Sequence, residues 1–294
     1  TMRFFQPIVA AGGKVSRYFG TRLSNLLRVN HRNHRKIVVI DGKIAYTGGM
    51  NLGLEYLGRK KITPWRDTHL KLTGSCVGLL QIRFLLDWLF SSGEMHLPES
   101  SVRKCFPSPS VQGNMGVQIV SCGPDTNAEN IKFGYLKMIN SAHKRIYIQT
   151  PYFVPDDAML QCLMLAARSG IDVRIMIPGV PDKKYVYAIT LSYMEDLLKC
   201  GARVYLHPGF IHSKTIVIDS CAASVGTANF DVRSFDLNFE VNAFVYDREF
   251  ALKNIEVFMT DAGECKELTY ESFRKRNGLR KAEESLFRLF APLA

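Results

Sequence analysis

One eight-residue pattern occurs twice in this chain and constrains its fold more than any other feature. The first copy, HRKIVVID, begins at His34, and the second, HSKTIVID, begins at His212, 178 positions later. In the same register each copy keeps a Lys, an Asp, a Gly and an Asn; these are Lys36, Asp41, Gly48 and Asn51, and Lys214, Asp219, Gly226 and Asn229. A polar set that is kept in register twice predicts two copies of one site-bearing lobe.

Each copy is predicted to be a buried strand that presents one His and one Lys. The runs 37–40 and 215–218 are short, β-branched and bounded by polar residues, which favours a strand over a helix. Side chains alternate between the two faces of a strand, so each His projects with its Lys, and Asp41 and Asp219 fall on the opposite face. We interpret these Asp as structural residues that end the strands. The Gly-rich turns with Gly48 and Gly226 let the backbone approach a ligand closely.

Two His and two Lys brought together suit attack on a phosphodiester. One neutral imidazole can attack phosphorus and hold the phosphoryl group covalently, while the other protonates the departing alkoxide and later deprotonates the incoming alcohol. The two Lys and the amides of Asn51 and Asn229 would bind the phosphate and neutralise the charge on its non-bridging oxygens. This scheme needs no metal and no cofactor. The scattered Cys and His also lack the spacing of a zinc site.

The motifs and their flanks resemble a known family. Two H-x-K-x4-D copies with a trailing G-x-x-N resemble the phospholipase D superfamily. More narrowly, the flanking segments resemble bacterial cardiolipin synthases; they are NHRK (33–36), TPYFVP (150–155), IPG (177–179), FIHSK (210–214) and SFDLNFE (234–240). The similarity runs from near Gly12 to the C-terminal residues 289–293.

The resemblance implies roles for individual residues. His34 would be the nucleophile, and His212 would be the general acid and base. In this superfamily a carboxylate downstream of each copy usually orients a His, and the matching positions are Asp67, in the sequence WRDT, and Glu240. Such a carboxylate fixes the tautomer of the imidazole and stabilises its cation. Because it favours the protonated ring, we expect a bell-shaped dependence of activity on pH.

By resemblance the predicted reaction is transphosphatidylation. His34 would take a phosphatidyl group from phosphatidylglycerol, and a second phosphatidylglycerol would accept it to give cardiolipin and glycerol. Three alternatives stay open: a phospholipase D-type hydrolase that gives phosphatidic acid, a nuclease on the same fold, and a catalytically silent module that binds anionic membranes or nucleic acid. The paired motifs and their flanks favour the lipid substrate, so we expect no nucleic-acid partner.

The charge of the chain points to an anionic partner. The formal net charge is +11 over 294 residues, and an anionic membrane surface attracts such a chain. The apolar stretch 77–90 contains Arg83 and Asp87 and is too short for a bilayer, so we predict an amphipathic helix there. Cardiolipin synthases typically carry N-terminal membrane helices. The resemblance therefore implies a cell-membrane location, with those helices missing from this chain.

We predict an α/β protein with two phospholipase D-like lobes, each a mixed sheet flanked by helices, and an active site at the lobe interface. Residues 1–95 are assigned to the first lobe, the Ser-, Pro- and Gly-rich residues 96–116 to a linker, and residues 117–294 to the second lobe. The second lobe has about 95 residues before His212, whereas the first has 33 before His34. We therefore expect the first lobe to be N-terminally incomplete.

Strands and helices are predicted to alternate along the second lobe. The strands are 117–121, 145–150, 172–177, 203–206 and 238–246, and the helices are 128–142, 156–169 and 185–200, with Asp156 as an N-cap. Residues 10–17 are predicted to be a helix end followed by a strand. The basic segment 22–33 is either a surface loop or a contact to lipid headgroups. The basic amphipathic helix predicted at 274–289 either packs on the core or rests on an anionic membrane.

Overall fold

The computed structural model describes residues 2–18, 31–57, 65–109, 111–126 and 128–291. Most of the predicted basic segment 22–33 and residues 292–294 lie outside these ranges. The described residues form an α/β fold, which confirms the predicted class. The two copies of the motif lie in two different sheets.

The first copy lies in a small antiparallel sheet. Its strands, in order, are β2 (Ile37–Ile40), β3 (Ile44–Gly48) and β4 (His69–Thr73), and β2 coincides with the predicted strand 37–40. Asp41 and Gly42 have φ angles of 52° and 64° in the three-residue β2–β3 loop, where the Lys43 N–H donates to the Ile40 carbonyl at 3.0 Å. Helix α2 (Cys76–Ser92) packs Val77 and Leu80 onto this sheet.

The second copy lies in a larger mixed sheet. Its strands are β1 (Arg32–Asn33), β5 (Gly116–Cys122), β6 (Arg145–Gln149), β8 (Asp172–Pro178), β9 (Arg203–His207), β10 (Thr215–Ile218), β11 (Ala222–Gly226), β13 (Asn238–Tyr246) and β14 (Lys266–Leu268). Among the described residues the order is β1-β13-β11-β10-β6-β8-β9-β14, with β5 also on β13. A separate parallel pair joins β7 (Phe153–Val154) to β12 (Phe230–Asp231).

Helices cover both faces of the larger sheet. One face packs against α4 (Asn130–Ser141), α5 (Asp157–Arg168) and α6 (Lys184–Lys199) through inward residues such as Ile146 and Ile148. The other face packs against α7 (Arg248–Glu264) through Tyr147 and Met176, as the alternation of side chains along a strand requires. Asp156 accepts the Met159 N–H at 2.9 Å and caps α5 as predicted. No helix within the described ranges is long and apolar enough to cross a bilayer.

Two local predictions are wrong. Helix α1 (Gln6–Ala10) ends as predicted, but residues 14–17 form no strand in the part that is described. The Ser16 hydroxyl instead donates to the Ser91 carbonyl at 2.7 Å, so this segment packs on the end of α2. The tail is two helices, α8 (Tyr270–Arg274) and α9 (Gly278–Arg288), because the Asn277 side chain accepts the Leu279 N–H and starts a new helix.

The predicted linker 96–116 is not uniformly irregular. It contains helix α3 (Glu99–Cys105), and β5 begins at Gly116. The Cys105 carbonyl and the Pro107 ring lie where a side chain at Gly42 would point. This segment therefore packs on the β2–β3 turn beside the first motif.

Candidate active site

Two short backbone pairings hold the two motif copies against each other. Strand β1 pairs in parallel with the start of β13, and the His34 N–H then donates to the Phe239 carbonyl at 3.0 Å. An isolated parallel bridge joins Arg66 to Ile211, and the His212 N–H donates to the Arg66 carbonyl at 2.7 Å. Each motif His therefore lies beside the residue that precedes a candidate carboxylate of the other copy.

The carboxylates are exchanged between the copies. His34 Nδ1 lies 2.8 Å from Glu240 Oε1, and His212 Nδ1 lies 2.8 Å from Asp67 Oδ2. Both carboxylate side chains have no exposed surface. These contacts assign the proton of each neutral ring to Nδ1 and leave a lone pair on Nε2. Each ring can therefore act as a nucleophile or a base through Nε2.

Glu240 is buried but is held ionised by its neighbours. Thr227 Oγ1 donates to Oε2 at 2.5 Å, and Asn238 Nδ2 donates to Oε1 at 3.1 Å. Burial by itself would raise the pKa of Glu240, but the charge and hydrogen bond of His34, together with Lys36 and Thr227, lower the pKa below its ordinary value. The carboxylate can therefore stabilise a cation on His34.

Asp67 receives its hydroxyl hydrogen bond from a tyrosine, whereas Glu240 receives the corresponding bond from Thr227. Thr227 matches Gly49 in the register of the two copies, but a Cβ at Gly49 would lie 2.1 Å from Asp67 Oδ1, so no side chain fits there. Tyr56 supplies the hydroxyl instead, donating to Asp67 Oδ2 at 2.8 Å and lying 2.9 Å from His212 Nδ1. The sequence carries no signal for Tyr56, because its segment belongs to neither motif.

Burial makes His212 a weak base. Its side chain is 7% exposed, against 28% for His34. Burial lowers the pKa of His212 to about 3; the Lys214 charge acts in the same direction, and the hydrogen bond and charge of Asp67 oppose both without outweighing them. Asp67 therefore favours the protonated ring, as expected, but burial outweighs its effect on His212. Its imidazole is neutral at pH 7.

The two motif Lys are anchored beside their own His. Lys36 Nζ donates to the His34 carbonyl at 2.7 Å, and Lys214 Nζ donates to the His212 carbonyl at 2.5 Å. Burial lowers the pKa of Lys36 to about 8 and that of Lys214 to about 7, although Asp67 and Glu240 act to raise both. A bound phosphate anion would restore the full charge of both groups.

The motif Asp and Gly residues shape the turns. Asp219 has a φ of 47°, and its carboxylate accepts the N–H groups of residues 143, 144 and 145 at 2.8–2.9 Å. Gly48 has a φ of 149°, and a Cβ there would lie 2.6 Å from His69 Cα. A Cβ at Gly226 would lie 2.1 Å from Asn242 Oδ1. These three positions, with Asp41, therefore act on the backbone and not on a ligand.

One cleft of about 400 Å³ is lined by four of the predicted site residues, His34, Asn51, His212 and Asn229, whereas Lys36, Lys214, Asp67 and Glu240 lie behind its lining. Its lining residues include His34, Asn51, Trp65, Tyr152, Lys183, Tyr185, His212, Asn229, Asp231 and Arg233. The Trp65 ring lies 4.9 Å from the His212 ring. As placed, the Asn229 amide donates to Asp231 Oδ2 at 3.1 Å and not into the cleft. In the ranges described, no group of three or more His, Cys, Asp or Glu side chains is arranged to hold a metal ion.

Comparisons with known proteins agree with this geometry. Residues 135–262 match the family described as cardiolipin synthase, PLD-like domain. The chain is 50% identical over 294 residues to the major cardiolipin synthase ClsA of Bacillus subtilis (strain 168), covering 99% of this chain and 61% of that protein. It is 49% identical over 291 residues to a cardiolipin synthase of Staphylococcus aureus (strain Mu50 / ATCC 700699), covering 98% and 58%. The chain thus spans 61% and 58% of the lengths of these curated relatives.

The fold is also similar to that of a solved structure. The crystal structure of phosphatidylserine synthase from Haemophilus influenzae Rd KW20 matches with a TM-score of 0.68 and 16% identity, covering 90% of this chain and 70% of that one. This likeness supports the fold alone. The sequence comparisons say more: the chain carries a PLD-like cardiolipin synthase domain and is 49–50% identical, over nearly its whole length, to curated cardiolipin synthases.

Proposed function

We propose that this chain catalyses transphosphatidylation, converting two molecules of phosphatidylglycerol into cardiolipin and glycerol. One observation carries the proposal: two imidazoles from two copies of one motif line a single cleft, each held by a buried carboxylate of the other copy. The identity to curated cardiolipin synthases supports the lipid substrate over a nucleic acid.

The first half of the reaction forms a phosphohistidine. His34 Nε2 attacks the phosphorus of phosphatidylglycerol, a P–N bond forms, and the P–O bond to the headgroup glycerol breaks. The departing alkoxide takes a proton from His212 Nε2. Because burial keeps His212 neutral at rest, the ring must take up a proton from solvent when the substrate binds, since the negative charge of the phosphodiester raises the pKa of the ring.

The second half returns the enzyme to its starting state. A hydroxyl of a second phosphatidylglycerol gives its proton to His212 and attacks phosphorus, and the P–N bond to His34 breaks. The low pKa of His212 leaves its ring neutral and ready to accept that proton. The ammonium groups of Lys36 and Lys214 neutralise the charge on the non-bridging oxygens.

The cleft also carries charge that suits an anionic membrane. Arg32, Lys183 and Arg233 line it and face the single carboxylate of Asp231 in the described lining. Together with the net charge of +11, they would draw the mouth of the cleft to a surface rich in anionic lipid. We propose such a membrane surface as the partner of the chain.

The test is a product analysis. The chain is incubated with phosphatidylglycerol in mixed micelles with a chelator, and cardiolipin, glycerol and phosphatidic acid are quantified. We expect cardiolipin with an equal amount of glycerol, and no turnover from His34→Asn. His143→Asn, which changes an exposed His outside the cleft, serves as the matched control. Phosphatidic acid alone would assign hydrolysis instead, and no lipid product from the folded chain would overturn the proposal.

Trapping the intermediate tests the order of the two His. In His212→Asn the departing glycerol loses its proton donor and the attacking hydroxyl loses its base. Both steps slow, so the covalent intermediate forms only during a long incubation but should then persist. We expect intact-protein and peptide mass spectrometry to find a phosphatidyl adduct on His34. An adduct on His212 in the His34→Asn chain would reverse the assignment.

A further inference from the structure

A second cavity lies next to the active-site cleft and is larger. It has a volume of about 570 Å³ and lies between α6, α8, α9 and the strands β9 and β14 at one end of the larger sheet. The first turn of α6 separates the two sites: Lys183 and Tyr185 line the cleft, whereas Lys184 and Tyr187 line the cavity. None of the motif residues contributes to its lining.

Three cations around this cavity have no hydrogen-bond or ion-pair partner in the part of the chain that the structure describes. The charged ends of Lys184, Lys266 and Arg280 make no hydrogen bond or ion pair within the described residues, although they line one concave site. Other cations on the same elements are paired: Arg276 contacts Glu195 and Glu284, Arg288 contacts Asp196, and Arg203 contacts Glu267. The carboxylates of these four partners are thus already engaged, and the three cations remain available to an anion.

The rest of the lining is suited to hydrocarbon. Leu191, Leu206, Leu268 and Phe273 provide apolar surface, and Phe273 is 6% exposed. Glu283 is an unpaired carboxylate among the described lining residues, so the three cations still leave the mouth net positive. An amphiphile with a negative head and an apolar tail matches both halves of this cavity better than a small inorganic anion does.

Helix α9 extends the same chemistry to the surface. Leu279 and Leu286 are 79% and 58% exposed, while Glu284 faces inward at 5% exposure, where it pairs with Arg276. The helix therefore turns apolar side chains toward the exterior beside the cation Arg280. That arrangement is typical of helices that rest on anionic lipid.

We propose that this cavity is a second binding site, for the phosphate headgroup and proximal acyl chain of an anionic glycerophospholipid. Lys184, Lys266 and Arg280 bind the phosphate, and the apolar lining receives the chain. The site is separate from the cleft, and its occupancy does not depend on turnover there.

The test counts binding sites by titration calorimetry. The ligand is dihexanoylphosphatidylglycerol below its micelle concentration, and the full chain carries His34→Asn so that no turnover occurs. We expect two sites. The triple variant Lys184→Ala, Lys266→Ala, Arg280→Ala should lose one site or weaken it at least tenfold. The retained cleft site then reports that the variant is folded.

A matched triple variant removes the same charge without touching the cavity. Arg274→Ala, Lys275→Ala, Lys281→Ala takes three cations from the same helical segment, and none of them lines the cavity. We expect it to retain both sites. A single site in the parent chain, or equal losses in both triple variants, would overturn the proposal.

Acyl-free ligands identify the source of the phosphate. Inorganic phosphate and glycerol 3-phosphate share the headgroup chemistry but cannot use the apolar lining. We expect each to bind the cavity at least tenfold more weakly than the short-chain lipid. Equal affinity would assign the site to free phosphate and reject the lipid.

Discussion

The two imidazoles of the cleft have unequal surroundings although their motifs match. Trp65 and Phe210 pack beside the His212 ring, with centroids 4.9 and 6.0 Å away, whereas the His34 side chain keeps 28% of its surface exposed. Burial therefore acts on one ring far more than on the other. Such a difference lets two identical side chains take different roles, as in other sites where the surroundings push the pKa values of two titratable groups apart.

The exchange of carboxylates predicts which step each of them supports. Asp67→Asn should impair proton transfer by His212 and lower the rate with phosphatidylglycerol about 100-fold. With a p-nitrophenyl leaving group, which departs without a proton, most of that loss should disappear from the first-turnover burst. Glu240→Gln should be equally slow with both substrates because it impairs the nucleophile. If the p-nitrophenyl leaving group restored the burst rate of Glu240→Gln and not that of Asp67→Asn, the exchanged carboxylates would not have these roles in catalysis.

Tyr56 should act as a positioning residue. Its hydroxyl contacts both Asp67 and the His212 ring, and loss of one hydrogen bond to a charged group costs about 1.5–3 kcal/mol. We expect Tyr56→Phe to lower kcat about tenfold or more with little change in KM, and to shift the pH profile of kcat. Tyr246→Phe, which removes a hydroxyl bonded to Gln118 far from the cleft, is the control. An unchanged pH profile would reduce Tyr56 to a purely structural role.

At the scale of elements, short backbone pairings bring residues that are far apart in the sequence into contact. The two residues of β1 pair with the start of β13, which brings His34 to Glu240 across more than 200 positions of sequence. Arg35 secures this junction: its guanidinium contacts Asp87 at 2.7 Å and the carbonyls of Cys122 and Glu240, each at 3.0 Å. Its side chain is only 2% exposed.

Removing this buried cation should weaken the whole junction. Arg35→Met removes the guanidinium donor from two backbone carbonyls and leaves Asp87 with Arg83 as its remaining ion-pair partner. We expect the free energy of unfolding to fall by about 3 kcal/mol, as measured by urea titration. Arg103→Met, which breaks an exposed pair with Glu99, should leave stability unchanged. Equal effects of the two substitutions would contradict the role of Arg35.

At the scale of the whole molecule, the site concentrates positive charge where water is excluded. Lys214 is 2% exposed, and burial lowers its pKa to about 7 from an ordinary value of 10.5. The folded state therefore binds this proton less tightly than the unfolded chain does. The resulting stability is fully present above pH 10.5 and is lost as the pH falls toward 7. Function thus places a destabilising charge inside the fold.

Replacement of this charge should stabilise the protein and abolish activity. We expect Lys214→Met to have a higher free energy of unfolding than the parent at pH 6, by a few kcal/mol at most. The difference should shrink as the pH rises from 7 to 10.5, where the parent Lys becomes neutral in both states. Urea titrations across this range, with the exposed Lys253→Met as control, provide the measurement. A difference that is independent of pH would show that packing and not charge is responsible.

Local pattern was enough to predict the motif strands and to select the paired His and Lys residues. The motif strands 37–40 and 215–218 coincide with β2 and β10, since β-branched content and short length act within a few residues of sequence. The repeat also identified the His and Lys pairs, because two copies in register constrain each other. The cap at Asp156 followed from its side chain alone. These features depend on neighbours along the chain.

Only the tertiary structure decided which of these groups contact one another and which of them are charged. Which carboxylate serves which His depends on the pairing of β1 with β13 and of Arg66 with Ile211, and no local pattern encodes such contacts. Tyr56 enters the site because Gly49 leaves no room for a hydroxyl. The neutral state of His212 arises from burial by distant residues, and desolvation is a property of everything packed around a group. The sequence therefore determined which groups are present, and the packing determined their partners and their charge.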